Sequence, residues 1–193
     1  PKLGKEKAEQ FHTFVAKGLF VTKRARQDIQ PAIAFLCTRV KDPTEEDWEK
    51  LKRMMKFLEQ TQDDCLTLRA DGSCVIKWSL DASFAVHPDM KSHTGAIMTI
   101  GQGAIQSVST KQKVNTKSST AAELVSNDDI IAKVMWTKLF LDAQGYGVRD
   151  TVIYRDNTSA MKLEMHGKAS SGKRTRHFNI KFFFITDLVK RKE

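Results

Sequence analysis

Three carboxylates stand at positions from which they could work together. Asp81 closes the β-rich run Cys74 to Leu80, Asp156 closes the run Thr151 to Tyr154, and Glu123 falls in the first turn of a helix expected over Thr120 to Ala143. Strand ends and a helix N-terminus can converge in space across tens of residues. Carboxylates that converge repel one another and raise each other's pKa unless a cation neutralises them. Hard oxygen ligands with open positions suit Mg²⁺ or Mn²⁺, and two such ions about 3.5–4 Å apart suit in-line phosphodiester chemistry. Spacing alone leaves a simpler reading standing, three unrelated surface acids among 23 Asp and Glu.

The elements that must hold these groups follow from periodicity. Residues 1–70 read as helices. Trp48, Leu51, Met54, Met55 and Leu58 mark one face of a helix over Thr44 to Gln60, with Asp42-Pro43-Thr44 as its start signal. Ile29, Ala32, Ile33, Leu36 and Val40 mark a second helix, capped by Asp28 and with Pro31 in its first turn. Phe11, Phe14, Val15 and Leu19 suggest a third. The character changes at the turn Asp71-Gly72. Beyond it lie a strand at Cys74–Leu80 and a hairpin of Thr94–Ile100 with Ala104–Ser109 around Gly101-Gln102-Gly103. A long helix capped by Ser119 or Thr120 and ended by Gly145 follows, then a strand at Thr151–Tyr154 and a short helix at Thr158–Met165. A Gly/Ser/Lys loop leads to a last helix around Phe178–Lys190. Trp48, Trp78 and Trp136 fall on apolar faces and are expected in the core.

Composition narrows the class. With 40% apolar residues and 8% aromatics the 193-residue chain can bury a core, which argues against disorder. No apolar run approaches the ~20 residues of a membrane span, and no secretory leader is evident. Cys37, Cys65 and Cys74 show no metal-ligand spacing and read as thiols of a reducing compartment. The expectation is an intracellular protein with no membrane partner and no small-molecule cofactor. Of the formal charge of +9, a net +6 lies in residues 161–193, with 9 basic against 3 acidic side chains. Such a segment either meets a polyanion, by displacing counterions from phosphates, or is a solvated tail.

Local sequence around the three acids adds more. Trp78-Ser-Leu-Asp81-Ala-Ser-Phe84, Ser118-Ser-Thr-Ala-Ala-Glu123-Leu124 and Ile153-Tyr-Arg-Asp156-Asn-Thr-Ser-Ala160 occur in that order. Between and after them come Lys91-Ser-His-Thr-Gly95, Ser107-Val-Ser-Thr-Lys-Gln112 and Lys173-Arg-Thr-Arg-His177-Phe-Asn-Ile-Lys181. Together these strings resemble the ribonuclease H domain of copia-type LTR retrotransposon polyproteins, whose pattern runs YSDADWA, STSGY, LSSTEAEY, YCDNQSA and SRTKHIDIRYHFIRE. Upstream, Asp42-Pro-Thr-Glu-Glu-Asp-Trp48-Glu-Lys-Leu-Lys-Arg53 resembles the segment NPTEEHWKALKRVLRYL that joins reverse transcriptase to ribonuclease H in the same elements.

The resemblance implies an α/β, ribonuclease H-like mixed sheet flanked by helices over 71–193, preceded by a helical, thumb- or connection-like segment of reverse transcriptase over 1–70. Asp81, Glu123 and Asp156 match the family's first three metal-binding carboxylates. The implied activity is hydrolysis of the RNA strand of an RNA:DNA hybrid with two Mg²⁺ or Mn²⁺ ions, the carboxylates acting as ligands and not as proton carriers. The implied partners are the hybrid and the reverse transcriptase portion of the same polyprotein, docked on the N-terminal helices. The family's fourth carboxylate belongs to a later motif resembling LADILTK. The sequence stops at Glu193, before that motif, so either it is a fragment or the last strand and helix are lost, and a three-carboxylate site is expected over these residues. Asp187 matches the Glu of the HFIRE-like helix and is not assigned to the site. A second reading is therefore a catalytically weak or inactive ribonuclease H-like module that binds nucleic acid or a protein.

Substrate contacts are expected at softer positions. Ser118 and Ser119 either cap the long helix or hold a phosphate at its N-terminus. Asn157 is either a turn residue or a reader of the ribose 2′-OH. Lys173, Arg174, Arg176 and His177 are expected to touch the hybrid backbone, with His177 also a candidate proton carrier in product release.

Overall fold

The computed structural model describes residues 1–166 and 184–191. It divides into two compact units, Pro1–Thr67 and Leu68–Glu193.

In the first unit, α1 (Lys5–Thr22), α2 (Gln30–Cys37) and α3 (Glu45–Gln60) enclose a core of Phe11, Val15, Ile29, Ile33, Leu36, Leu51 and Met54. The apolar stripe of α3 behaves as its spacing dictates: Leu51 and Met54 are buried, and Trp48 and Leu58 pack against them. Its cap is Thr44, not Asp42. The Thr44 hydroxyl accepts the Asp47 N–H and the Asp47 carboxylate accepts the Thr44 N–H at 2.9 Å, a reciprocal capping box. Nor does Asp28 cap α2. It lies in a 3₁₀ turn, Gln27–Ile29, and pairs with Arg26 at 2.7 Å, so α2 starts from Ile29 without a side-chain cap.

The second unit is a mixed α/β structure, compatible with the expected ribonuclease H-like class. Its sheet has the order β5 (Gln106–Lys111), β3 (His93–Thr99), β2 (Val75–Ser83), β6 (Asp150–Tyr154). The first three strands are antiparallel neighbours and β6 runs parallel to β2. A parallel pair needs a long crossover, which α4 (Ser119–Ala143) supplies. Alternation along β2 buries Ile76, Trp78 and Leu80, and these pack with Ala96 and Met98 of β3 and Ile130 and Val134 of α4. Two short helices, α5 (Thr158–His166) and α6 (Phe184–Arg191), complete the described residues of this unit. Of the last helix expected around Phe178–Lys190, residues 178–183 lie outside the described residues. No helix among the described residues is long and apolar enough to cross a membrane.

Two details depart from the sequence reading. Trp136 is 60% exposed and stacks on Phe140, with ring centroids 5.0 Å apart. The face of α4 that meets the sheet carries Ile130, Val134 and Thr137, and Trp136 is turned away from it. The glycine-bearing segment is also more than a hairpin loop. Gly101–Gln102 forms β4, which pairs with β1 (Arg69–Ala70) in a separate two-stranded sheet. At Gly101 (φ +158°) a Cβ would lie 2.2 Å from the Arg69 carbonyl oxygen and 2.7 Å from the Asp71 nitrogen. Both are backbone atoms and cannot turn aside, so Gly101→Ala is expected to destabilise by roughly 1–3 kcal/mol, read as a lower urea midpoint.

His87 of the β2–β3 connection pairs with His93, the first residue of β3. His87 Nε2 lies 3.0 Å from His93 Nδ1, and His93 Nε2 lies 2.7 Å from Ser109 Oγ. Burial lowers the pKa of both, helped by Lys111 at His87 and by His87 itself at His93. A histidine whose folded pKa lies below its unfolded value, about 6.5, stabilises fully above that pH and loses its contribution as the pH falls toward the folded value. The urea midpoint is therefore expected to drop between pH 7 and pH 5, and His93→Gln is expected to flatten that drop.

Candidate metal centre

The sheet register brings the first two acids together. Ser79 of β2 pairs with Tyr154 of β6 in a parallel ladder, so Asp81 and Asp156, each two residues further on, emerge at the same end of the sheet. Glu123 reaches this end from α4, whose N-terminal turns pack over it. The helix begins at Ser119, which places Glu123 one residue further in than the sequence suggested. One carboxylate oxygen from each of the three residues lies within 4.8 Å of the others. Asp81 and Asp156 are exposed and Glu123 is 3% exposed.

Around Glu123 there is a buried charge network that sequence reasoning did not find. Its Oε1 accepts the Ala82 N–H at 3.2 Å and its Oε2 accepts Arg155 Nη2 at 2.8 Å. The same nitrogen donates to the Glu123 carbonyl oxygen and to Ser126 Oγ, and Arg155 Nη1 donates to Glu164. Asn127 Nδ2 donates to the same Glu164 oxygen at 3.1 Å. Arg155 and Glu164 are buried to 2% and 8% side-chain exposure. Burial pushes the Glu123 carboxyl above the usual carboxylate range, with Asp81 adding to the rise, and Arg155 and the Ala82 N–H pull against it. Glu164 is raised by the same cause and opposed by Arg155 and Asn127. The arrangement costs several kcal/mol per ion in desolvation, which only a well hydrogen-bonded pairing offsets. The local signal was a basic residue wedged between Tyr154 and Asp156. Nothing local pointed to Glu164.

A second network fixes the start of α4. Gln112 Nε2 donates to the Ala122 carbonyl oxygen at 2.8 Å and to Thr94 Oγ1 at 3.0 Å, and the Thr94 hydroxyl donates to Asp129 at 2.9 Å. These bonds tie β3 and the segment after β5 to the turn that carries Glu123.

The other expected contacts divide. Ser118 takes the capping one of its two readings: it is the N-cap of α4, and its Oγ accepts the Ala121 N–H at 3.1 Å. Ser119 is exposed in the first turn of that helix. Asn157 Oδ1 accepts the Ala160 N–H at 3.0 Å and so caps α5 directly beside Asp156. Asp187 is exposed on α6. Lys173, Arg174, Arg176 and His177 lie outside the described residues.

The donor set fits a hard divalent cation. The convergent groups are carboxylate oxygens, they present no thiol or imidazole, and two of the three face solvent, where a hydrated ion keeps its remaining waters.

Known proteins similar to this chain are parts of transposon polyproteins. The chain is 30% identical over 165 residues to the retrovirus-related Pol polyprotein from transposon TNT 1-94 of Nicotiana tabacum. It is 30% and 31% identical over 166 residues to those from transposons RE2 and RE1 of Arabidopsis thaliana. These three homologues are retrovirus-related Pol polyproteins of plant transposons. Each alignment spans 85% of the chain but only 11–12% of the relative, so the chain matches one short part of each of these polyproteins. No family model matches the chain, and no solved structure matches it.

Proposed function

We propose that the chain is the ribonuclease H part of a retrotransposon Pol polyprotein, preceded by a helical segment of reverse transcriptase, and that it hydrolyses the RNA strand of RNA:DNA hybrids. The observation that carries this reading is the convergence of Asp81, Glu123 and Asp156 at one end of a mixed sheet, in a stretch homologous to Pol polyproteins. Asp81, Glu123 and Asp156 would hold Mg²⁺ or Mn²⁺, two ions in the full scheme, which when bound would supply charge neutralisation at the phosphate and a lowered pKa for water.

The protein's own residues supply position. Asp81 and Asp156 face the solvent side from which a hybrid must arrive. The Ala82 N–H and Arg155 fix the Glu123 carboxylate before any ligand binds. Asn157, held by its cap bond beside Asp156, presents its side-chain amide to a ribose 2′-OH, the group by which RNA is told from DNA. Ser119 and the basic residues Lys173, Arg174, Arg176 and His177 are assigned to the hybrid backbone.

The test is substrate discrimination. An end-labelled RNA is offered as a hybrid with DNA, as a single strand, and as an RNA duplex, in Mg²⁺ and in Mn²⁺. Cleavage confined to the hybrid and abolished by chelation is the expected result. Salt-sensitive hybrid binding without cleavage in either metal would instead establish the binding-module reading.

A further inference from the structure

Arg155 is an odd neighbour for a cation site. Its side chain is 2% exposed, and the guanidinium lies 2.8 Å from the Glu123 oxygen and also pairs with Glu164, which Asn127 holds in place. A positive charge in contact with a ligand carboxylate opposes any cation that approaches the same group. Glu164 has the contrary effect, because it draws Arg155 toward itself and adds a negative charge behind it. We infer that Arg155 is a resident cation of the carboxylate site, a positioning residue that sets how tightly the site takes a divalent ion, with Glu164 as its counterweight. The inference rests on the reading of Asp81, Glu123 and Asp156 as a metal centre.

Two neutral replacements separate this role from a merely structural one. In Arg155→Gln the opposing charge is gone, and the dissociation constant for Mn²⁺ is expected to fall roughly tenfold, the effect of one unit charge at such a distance in a partly solvated site. In Glu164→Gln the whole charge of Arg155 bears on Glu123, and Mn²⁺ is expected to bind several-fold more weakly. A network that served only to hold the fold would weaken binding in both variants.

The experiment is a titration of the full 193-residue chain with Mn²⁺, following the signal of the free ion by electron paramagnetic resonance, beside Asp81→Asn. Opposite shifts in the Arg155 and Glu164 variants support the proposal. Shifts in the same direction, or none, overturn it. Where circular dichroism shows Arg155→Gln unfolded, the Arg155→Gln/Glu164→Gln double variant is compared with Glu164→Gln alone. Tighter binding in the double variant supports the proposal, and equal or weaker binding overturns it. Mn²⁺ binding unaffected by Asp81→Asn would remove the metal centre itself, a failure distinct from that of Arg155 because that arm leaves the guanidinium in place.

Discussion

Asp81→Asn is expected to reduce hybrid cleavage by at least about 100-fold while leaving the fold and hybrid binding intact. The magnitude follows from metal sites in general, where losing even a residue behind a ligand costs about 10–100-fold in affinity or activity. Losing a ligand should cost no less. The fold should survive because Asp81 is exposed, so the amide replaces a solvated carboxylate and leaves no buried charge unpaired. Its backbone pairing with Gly95 on β3 is also unaffected by the side chain. The check is a cleavage time course in Mn²⁺, run with a thermal melt and a hybrid-binding isotherm on the same protein. An Asp81→Asn variant that cuts within threefold of the parent would remove Asp81 from the site.

The largest effect on stability is expected at Arg155. Replacing it with Leu removes the cation that Glu123 and Glu164 share and strands two buried carboxylates. Breaking a buried pair in this way costs about 3–5 kcal/mol, a large fraction of the stability of a small domain. The Arg155→Leu/Glu164→Leu double variant removes one stranded anion as well, and its cost is expected to be smaller than that of Arg155→Leu alone. The non-additivity, read from urea midpoints, measures the coupling. Additive losses would mean that the contact between Arg155 and Glu164 contributes little. Mn²⁺ at a few times its dissociation constant should raise the stability of the parent protein, since a ligand of the native state stabilises it by mass action.

Much of this was legible in the sequence because it rests on short-range rules. The 3.6-residue stripe through Leu51 and Met54 located α3, and the alternation of Ile76, Trp78 and Leu80 located β2. The placement of Asp81 and Asp156 after two strands sufficed to bring them together, since parallel strands that pair in register deliver residues beyond them to one end. The cap of α3 lies two residues beyond Asp42, at Thr44, and that of α4 falls to Ser118 among Ser118, Ser119 and Thr120, because adjacent side chains could accept the same N–H groups and backbone geometry selects among them. Trp136 was misjudged because an amphipathic helix of 25 residues carries more apolar side chains than one face can bury. The charge network was the least legible part. Arg155 meets Glu123 across 32 positions and Glu164 across 9, and only the packing of α4 and α5 against the end of β6 makes them neighbours.

The claim beneath the whole account is that one divalent ion or more sits among three named carboxylates. Anomalous diffraction from a crystal grown in Mn²⁺ tests it directly. An anomalous peak is expected within coordination distance of oxygens from Asp81, Glu123 and Asp156, at about 2.0–2.2 Å for a small hard cation. A peak held by other residues, or no peak between these carboxylates at saturating Mn²⁺, would contradict it.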